Sequence, residues 1–299
     1  MRFILLFLAL LFVRACAKPY DEAVAKRMFV LSTAALSPQP EICLGNRFSN
    51  AQLVQRYEVD CDSSGLDTCS GYLALLNDDK VIAVVFRGST SELQAKMQQV
   101  DSVLSKYGFL GLGNVNRYYH RAFWTLWNGG MGDRFTQLTN QHPDYAVWTT
   151  GHSLGAALSS LAALKIVNDG RYNDNNSLHY NFGQPRVGDQ TYANSHKKLV
   201  RKEIKHTQSN FSLKIPDFYR VTHAQDEVTT WPTLNLGFVH HAGEIWYNNT
   251  MKRGSKHVFC HGDNEKACRG PRTSKADHLT YFNFQFNDYA LQGCQTAIN

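Results

Sequence analysis

The sequence predicts an α/β fold in which helices flank a mostly parallel central sheet. Two observations lead to this prediction. Short apolar segments of strand length alternate with longer segments of helical periodicity through most of the chain. Residues 81–86 are apolar without alternation, which is typical of a strand that is covered on both faces. The chain has 299 residues, of which 43% are hydrophobic and 19% charged. This size and composition suit a single globular domain.

The predicted elements follow the chain in order. An amphipathic helix is expected over residues 21–35, near the start of the mature chain. Two strands are expected on either side of the turn at residues 77–80. The predicted strands are residues 72–76, 81–86, 145–150, 178–182, 218–222 and 244–247. Further helices are predicted over residues 91–104, 131–140 and 154–167.

The first 17 residues have the pattern of a secretory signal peptide. Arg2 precedes an apolar run over residues 3–13, and Ala15-Cys16-Ala17 is a small-residue cleavage pattern. A membrane anchor is the alternative, but it needs about 18 or more apolar residues. The mature protein is therefore expected to be one domain over residues 18–299. We expect it to be secreted and to contain no transmembrane segment.

Removal of the signal peptide leaves six cysteines, an even number that predicts disulfides in a secreted protein. They are Cys43, Cys61, Cys69, Cys260, Cys268 and Cys294. The second and third lie close in sequence, as do the fourth and fifth, and this would leave Cys43 for Cys294. Six cysteines allow many connectivities, so the pairing stays open at this point. A zinc site made by Cys260, His261 and Cys268 is the less favoured alternative, because secreted thiols usually oxidise.

Sequons and charge agree with an extracellular protein. Asn175, Asn210 and Asn248 each begin an N-x-S/T sequence, so glycosylation is expected on surface loops. The formal net charge of +6 falls by two when Arg2 and Arg14 leave with the signal peptide. So mild a charge, with no basic segment interleaved with aromatic residues, argues against a nucleic-acid partner.

The segment Gly151-His152-Ser153-Leu154-Gly155 matches G-x-S-x-G and joins a predicted strand to a predicted helix. This strand–turn–helix setting is what a nucleophile elbow requires. Ser153 is the predicted nucleophile, and the Leu154 N–H at the helix start is a predicted oxyanion donor. The alternative is a turn bounded by glycines with no chemical role. His152 is interpreted as a packed core histidine, because a neighbour of the nucleophile points elsewhere on so sharp a turn.

Ser89 is the candidate for a second oxyanion donor. In α/β hydrolases this donor comes from an early strand–helix loop. Ser89 follows the buried strand predicted over residues 81–86. A serine that caps the next helix is the alternative interpretation.

The acid and the base should follow the nucleophile in the order Ser, Asp or Glu, His. Asp226 lies just after the predicted strand 218–222, at the edge where such sheets carry their active sites. Asp217 precedes that strand and would lie at the wrong edge, and Glu227 is the nearest rival. The later histidines are His240, His241, His257, His261 and His278. His257 and His261 flank Cys260. Spacing alone does not identify His278 as the base.

Five segments together resemble the fungal-lipase-like family, also called class 3 lipases, of the α/β-hydrolase fold. They are VVFRGS (84–89), TGHSLG (150–155), FGQPRVG (182–188), YRVTHAQDEV (219–228) and DHLTYF (277–282). The resemblance runs from about Tyr72 to the C-terminus. It implies Ser153, Asp226 and His278 as the triad, and Ser89 with Leu154 as the oxyanion hole. The family's disulfides resemble the three pairs named above, and the resemblance makes His240 and His241 structural.

The resemblance implies a secreted serine ester hydrolase, and above all a triacylglycerol lipase. The expected substrate is a lipid or small ester at a lipid–water interface, and no cofactor or metal is expected. A soluble-ester or feruloyl-type carboxylesterase is the alternative, followed by a non-enzymatic lipid carrier. Family members often carry a helical lid after the oxyanion serine. Here Leu93, Met97 and Val100 form only a thin apolar stripe, so a working lid and an ordinary surface helix both fit.

Overall fold

The computed structural model describes residues 20–61, 67–173, 176–200, 218–260, 268, 270 and 272–298. The expected signal peptide, Asp217 and His261 lie outside these residues, as do the sequons at Asn175 and Asn210. Asn248 lies within them and is exposed just after a strand, as a glycosylation site requires.

Twelve strands are present among the described residues. They are β1 (Ala51–Asp60), β2 (Thr68–Leu76), β3 (Val81–Phe86), β4 (Lys106–Gly108), β5 (Asn114–Asn116), β6 (Ala146–Gly151), β7 (Ser177–Phe182), β8 (Phe218–His223), β9 (Glu244–Tyr247), β10 (Val258–Cys260), β11 (Thr280–Tyr281) and β12 (Phe284–Gln285). Eight form one sheet in the order β1-β2-β3-β6-β7-β8-β9-β10. Its five central strands, from β3 to β9, run parallel, and the outer strands are antiparallel. The mostly parallel sheet is thus confirmed.

Helices cover both faces of this sheet. They are α1 (Glu22–Ala34), α2 (Pro40–Arg47), α3 (Glu92–Leu104), α4 (Arg117–Leu126), α5 (Gly132–Gln141), α6 (Leu154–Asn168), α7 (Gln190–Val200), α8 (Lys275–Leu279) and α9 (Phe286–Leu291). On one face α4, α5 and α6 pack over Ile82, Val84 and Phe86. On the other, α1, α2 and α9 pack over Val81, Ala83 and Val85. This double burial is why β3 is apolar without alternation.

Three disulfides tie the fold together. Cys61 bonds Cys69 at the β1–β2 connection, and Cys43 of α2 bonds Cys294 near the C-terminus. The latter bridge joins residues 251 positions apart. In the chain-entropy model a closed loop of this length stabilises the fold by about 5 kcal/mol. Cys260 and Cys268 bond each other, so neither thiol is available to a zinc ion.

Candidate active site

A strained turn presents Ser153 between β6 and α6. Its backbone has φ 57° and ψ −123°, a conformation that ordinary L-residues avoid. A Cβ added to Gly151 would lie 2.3 Å from the Gly155 carbonyl oxygen, and one added to Gly155 would lie 2.2 Å from that of Phe86. Only glycine fits at these two positions, where the turn passes against the end of β3. The predicted strand–turn–helix setting is therefore present.

The side chains of Ser153, His278 and Asp226 form one hydrogen-bonded chain. The Ser153 hydroxyl donates to Nε2 of His278 over 2.9 Å. Nδ1 of His278 lies 3.0 Å from each carboxylate oxygen of Asp226. His278 belongs to α8, a short helix whose N-terminus is capped by the Ser274 hydroxyl. Asp226 follows β8, at the same edge of the sheet as the end of β6.

Asp226 is fully buried, yet its surroundings favour the carboxylate. The Tyr281 hydroxyl donates to Oδ2 over 2.8 Å, and the Val228 N–H donates to Oδ1 over 3.0 Å. Burial alone raises the pKa of Asp226, but the His278 imidazole and the hydrogen bonds from His278 and Tyr281 lower it more. The net pKa lies below the usual value, so the group can stabilise an imidazolium at neutral pH.

His152 is bonded to the backbone of His278 and does not take part in the hydrogen-bonded chain. Its Nε2 donates to the main-chain carbonyl of His278 over 2.8 Å, and its ring stacks on Phe286 with centroids 3.9 Å apart. Burial, with a smaller effect from His278, lowers the pKa of His152 to about 3. It is thus a neutral, packed histidine, and it does not bond the nucleophile.

Sequence reasoning missed the special position of Gly183. This residue follows β7 with φ +58°. An added Cβ would lie 2.8 Å from Oδ2 of Asp226 and 2.9 Å from Nδ1 of His278. The segment Phe182-Gly183 was part of the family resemblance, but its contact with the acid and the base depends on the assembled sheet.

The loop after β3 passes directly beside the elbow. A Cβ on Gly88 would meet the His152 carbonyl oxygen at 3.0 Å and the Ser153 Cβ at 3.6 Å. Ser89 follows and accepts a hydrogen bond from Nε2 of Gln98 over 2.7 Å. The residue that caps α3 is Ser91, whose hydroxyl accepts from the Gln94 N–H. The structure thus places Gly88, the residue before Ser89, beside the elbow and gives the capping role to another serine. Leu154 is the first residue of α6, so its N–H is one of the donors unpaired within that helix.

Helix α3 contacts the body of the protein through several polar side chains and through Met97, which packs against the core. Gln94, Gln98 and Asp101 are buried, whereas Val100 and Val103 are 50% and 68% exposed. Gln94 donates to the Thr68 carbonyl, and Asp101 pairs with Arg117. An ordinary surface helix buries its apolar side. In α3 the fully buried side chains among the described ones are polar, and Val100, which sequence reasoning assigned to a thin stripe, faces outward.

The other candidates for the acid and the base have different contacts. Glu227 follows Asp226 in the chain, but Nδ1 of His278 is bonded to the carboxylate of Asp226 and not to that of Glu227. His240 donates to the Thr229 carbonyl, and His241 stacks on His196 with centroids 4.1 Å apart. The ring of His257 packs against Tyr20.

Comparisons with known proteins identify relatives of this chain. The sequence model of the family described as lipase (class 3) matches residues 83–236. Lipase ZK262.3 of Caenorhabditis elegans is 29% identical over 316 residues, which cover 93% of this chain and 84% of that protein. The lipase of Rhizopus niveus is 31% identical over 74% of this chain, but the match spans only 52% of that protein.

A solved structure agrees in fold. The triacylglyceride lipase of Rhizomucor miehei superposes with a TM-score of 0.72 at 21% identity. The superposition covers 90% of this chain and 97% of that one. At such low identity this likeness speaks for the α/β-hydrolase architecture alone.

Proposed function

Since this chain belongs to the class 3 lipase family of carboxylic ester hydrolases, we propose that it hydrolyses triacylglycerols with Ser153 as nucleophile. The observation that carries the proposal is the Ser153–His278–Asp226 chain, with 2.9 Å between Ser153 Oγ and His278 Nε2. The serine and the histidine that activates it are already within hydrogen-bonding reach.

The reaction starts as Nε2 of His278 takes the Ser153 proton and the freed oxygen attacks the ester carbonyl. Asp226 holds the imidazole in the required tautomer and stabilises its charge. The main-chain N–H groups of Leu154 and Ser89 receive the oxyanion, each contributing about 3 kcal/mol. His278 then protonates the departing glycerol oxygen, which leaves an acyl-enzyme. Water, activated by the same histidine, releases the fatty acid and restores the serine.

Exposed apolar side chains support a lipid substrate over a soluble ester. Nine large apolar side chains are exposed in the described part of the chain, and six of them come from three segments. They are Val100 and Val103 of α3, Tyr107 and Leu110 around β4, and Trp231 and Leu234 after the acid. Lys106 links the last two segments, since its Nζ donates to the Leu236 carbonyl over 2.6 Å. Six exposed apolar side chains concentrated in three segments support contact with lipid.

Secretion is part of the same proposal. A signal peptide over residues 1–17, a mature domain over residues 18–299 and glycans at Asn175, Asn210 and Asn248 fit an extracellular lipase. The three disulfides support it, because such bonds persist in oxidising compartments. Among the described residues no helix has the length and apolar character needed to cross a bilayer.

The test is hydrolysis of emulsified trioleoylglycerol and of p-nitrophenyl esters of increasing chain length. The wild-type rate should jump once substrate exceeds its solubility, and Ser153→Ala should lower it at least 10⁴-fold, about the effect of losing a triad member. Simple saturation without a jump would favour a soluble-ester esterase. Full activity in the alanine variant would exclude Ser153 as the nucleophile. Lipid binding without any turnover would indicate a carrier.

A further inference from the structure

A basic groove lies along the exposed side of α1, away from Ser153. Its volume is about 560 Å³, within the range of small-molecule sites. The end of α2, the turn at Arg253 and the side chain of Ile298 form its walls. None of the residues that line it belongs to the Ser153–His278–Asp226 chain or to the loop at Ser89.

Four cations line the groove, and only two have acidic partners. Lys26 pairs with Glu22 over 2.7 Å, and Arg27 forms a two-bond pair with Asp79. Within the described residues, Arg47 and Arg253 have no carboxylate within ion-pair distance. The buried Nε of Arg47 also has no hydrogen-bond partner there. One carboxylate, Glu22, also lines the groove, but it is paired with Lys26, so two guanidinium groups are left to attract an anion.

The groove is also apolar between these charges. Val30 of α1 and Phe48, which follows α2, line it together with Ile298. The guanidinium of Arg27 lies over the Phe48 ring at 5.2 Å, in a cation–π contact at the edge of this apolar lining. A small inorganic anion would use the arginines and leave the apolar lining bare. An anion with a hydrocarbon chain would use both.

We propose that this groove binds a fatty-acid anion, with the carboxylate on Arg47 and Arg253 and the chain along Val30, Phe48 and Ile298. A guanidinium matches a carboxylate through two parallel hydrogen bonds, which favours arginine over lysine for this task. This inference rests on the proposed function, because hydrolysis of an acyl ester releases such an anion. The groove then binds the released fatty acid at a site separate from the active site that produces it.

The test is titration calorimetry with decanoate on protein whose Ser153 has been blocked by a phosphonate, so that the active site is filled. We expect one decanoate site, and we expect Arg47→Gln/Arg253→Gln to weaken it at least tenfold. Arg134→Gln removes a cation from α5 and should leave affinity unchanged. Decanol, which lacks the charge, and inorganic phosphate, which lacks the chain, should each bind at least tenfold more weakly.

Three results would overturn the groove assignment. These are no decanoate binding, unchanged affinity in the double variant, or phosphate binding as tight as that of decanoate. Arg47→Lys/Arg253→Lys keeps both charges and should recover part of the affinity, which separates loss of the ligand contact from loss of local structure. Failure of the phosphonate to label Ser153 would instead count against the proposed function. The wild-type and double-variant titrations on unlabelled protein would then still decide the groove.

Discussion

Gly183 shows at the scale of one residue how tightly the acid and the base are enclosed. It has a positive φ, and its Cα faces both the Asp226 carboxylate and the His278 ring. A side chain there would be strained by the backbone and would also push against both groups. Because Gly183 has no side chain, the end of β7 can lie close to the acid and the base, although Gly183 carries no reactive group.

Gly183→Ala should lower kcat at least about 100-fold, because a displacement near 1 Å at the reacting groups can cost that much. Gly170→Ala is the matched control, since Gly170 also has positive φ (+84°) but an added Cβ meets nothing within 4 Å. The control should lose about 1 kcal/mol of stability and keep its activity. Rates on a soluble ester and thermal midpoints of both variants provide the check. Equal activity in the two would mean that the contacts of Gly183 have no catalytic consequence.

At the scale of an element, α3 differs most from an ordinary amphipathic helix. Its fully buried side chains in the described part are Gln94, Gln98 and Asp101, and its outward side includes Val100 and Val103. Lys275 of α8, three positions before His278, pairs with Glu92 at the start of α3. A solvent-exposed ion pair thus joins the helix to the element that carries the base, while Val100 and Val103 face the surroundings.

Val103→Asp should reduce activity on emulsified triacylglycerol about tenfold and leave hydrolysis of a dissolved short-chain ester unchanged. Removing a valine from lipid contact costs about 1.5 kcal/mol, which corresponds to that factor. Leu291→Asp changes a side chain that is 80% exposed on α9 and should affect neither substrate. The two substrates are to be compared by initial rates. Parallel loss on both would assign α3 a structural role only.

At the scale of the whole molecule, the interior holds several neutral histidines. Burial lowers the pKa of His152 and of His179 to about 3 in each case. Burial also lowers the pKa of His196 and of His241 well below the usual value. His179 and Arg220 lower the pKa of His196 further, and His196 and Arg220 lower that of His241 further. His196 and His241 stack at 4.1 Å, so a charge on either would be poorly solvated.

The protein should therefore lose stability in mild acid. In the unfolded chain these histidines bind protons below about pH 6.5, whereas the folded pKa values are lower, so the unfolded state takes up more protons. The stabilisation is complete above pH 6.5 and is lost as the pH falls toward 3. His152 and His179, whose pKa values in the folded protein are about 3, should each cost about 1.4 kcal/mol of stability per pH unit within that window. Unfolding free energies measured in denaturant from pH 8 to 4 test this. A curve that stays flat between pH 7 and 5 would contradict it.

Some elements were predictable because their signals are local. The strand β6, the glycines around Ser153 and the start of α6 follow one another within a few positions. Other elements were missed, including α2, β1, α4 and α7. The aromatic residues of α4, such as Tyr118, Tyr119 and Phe123, favour strands by propensity, yet all three are buried in a helix. Packing against the sheet outweighed their local preference.

The sequence by itself determined the alternation of strands and helices, the elbow at Ser153 and an even number of cysteines for disulfides. It named five later histidines but could not choose among them by spacing. Only the tertiary structure brings His278 to Ser153 across 125 positions and packs Gly183 and Tyr281 around the acid. The physical reason is that periodicity and turn chemistry act over a few residues. Which side chains meet at a sheet edge depends instead on the order in which distant strands pair.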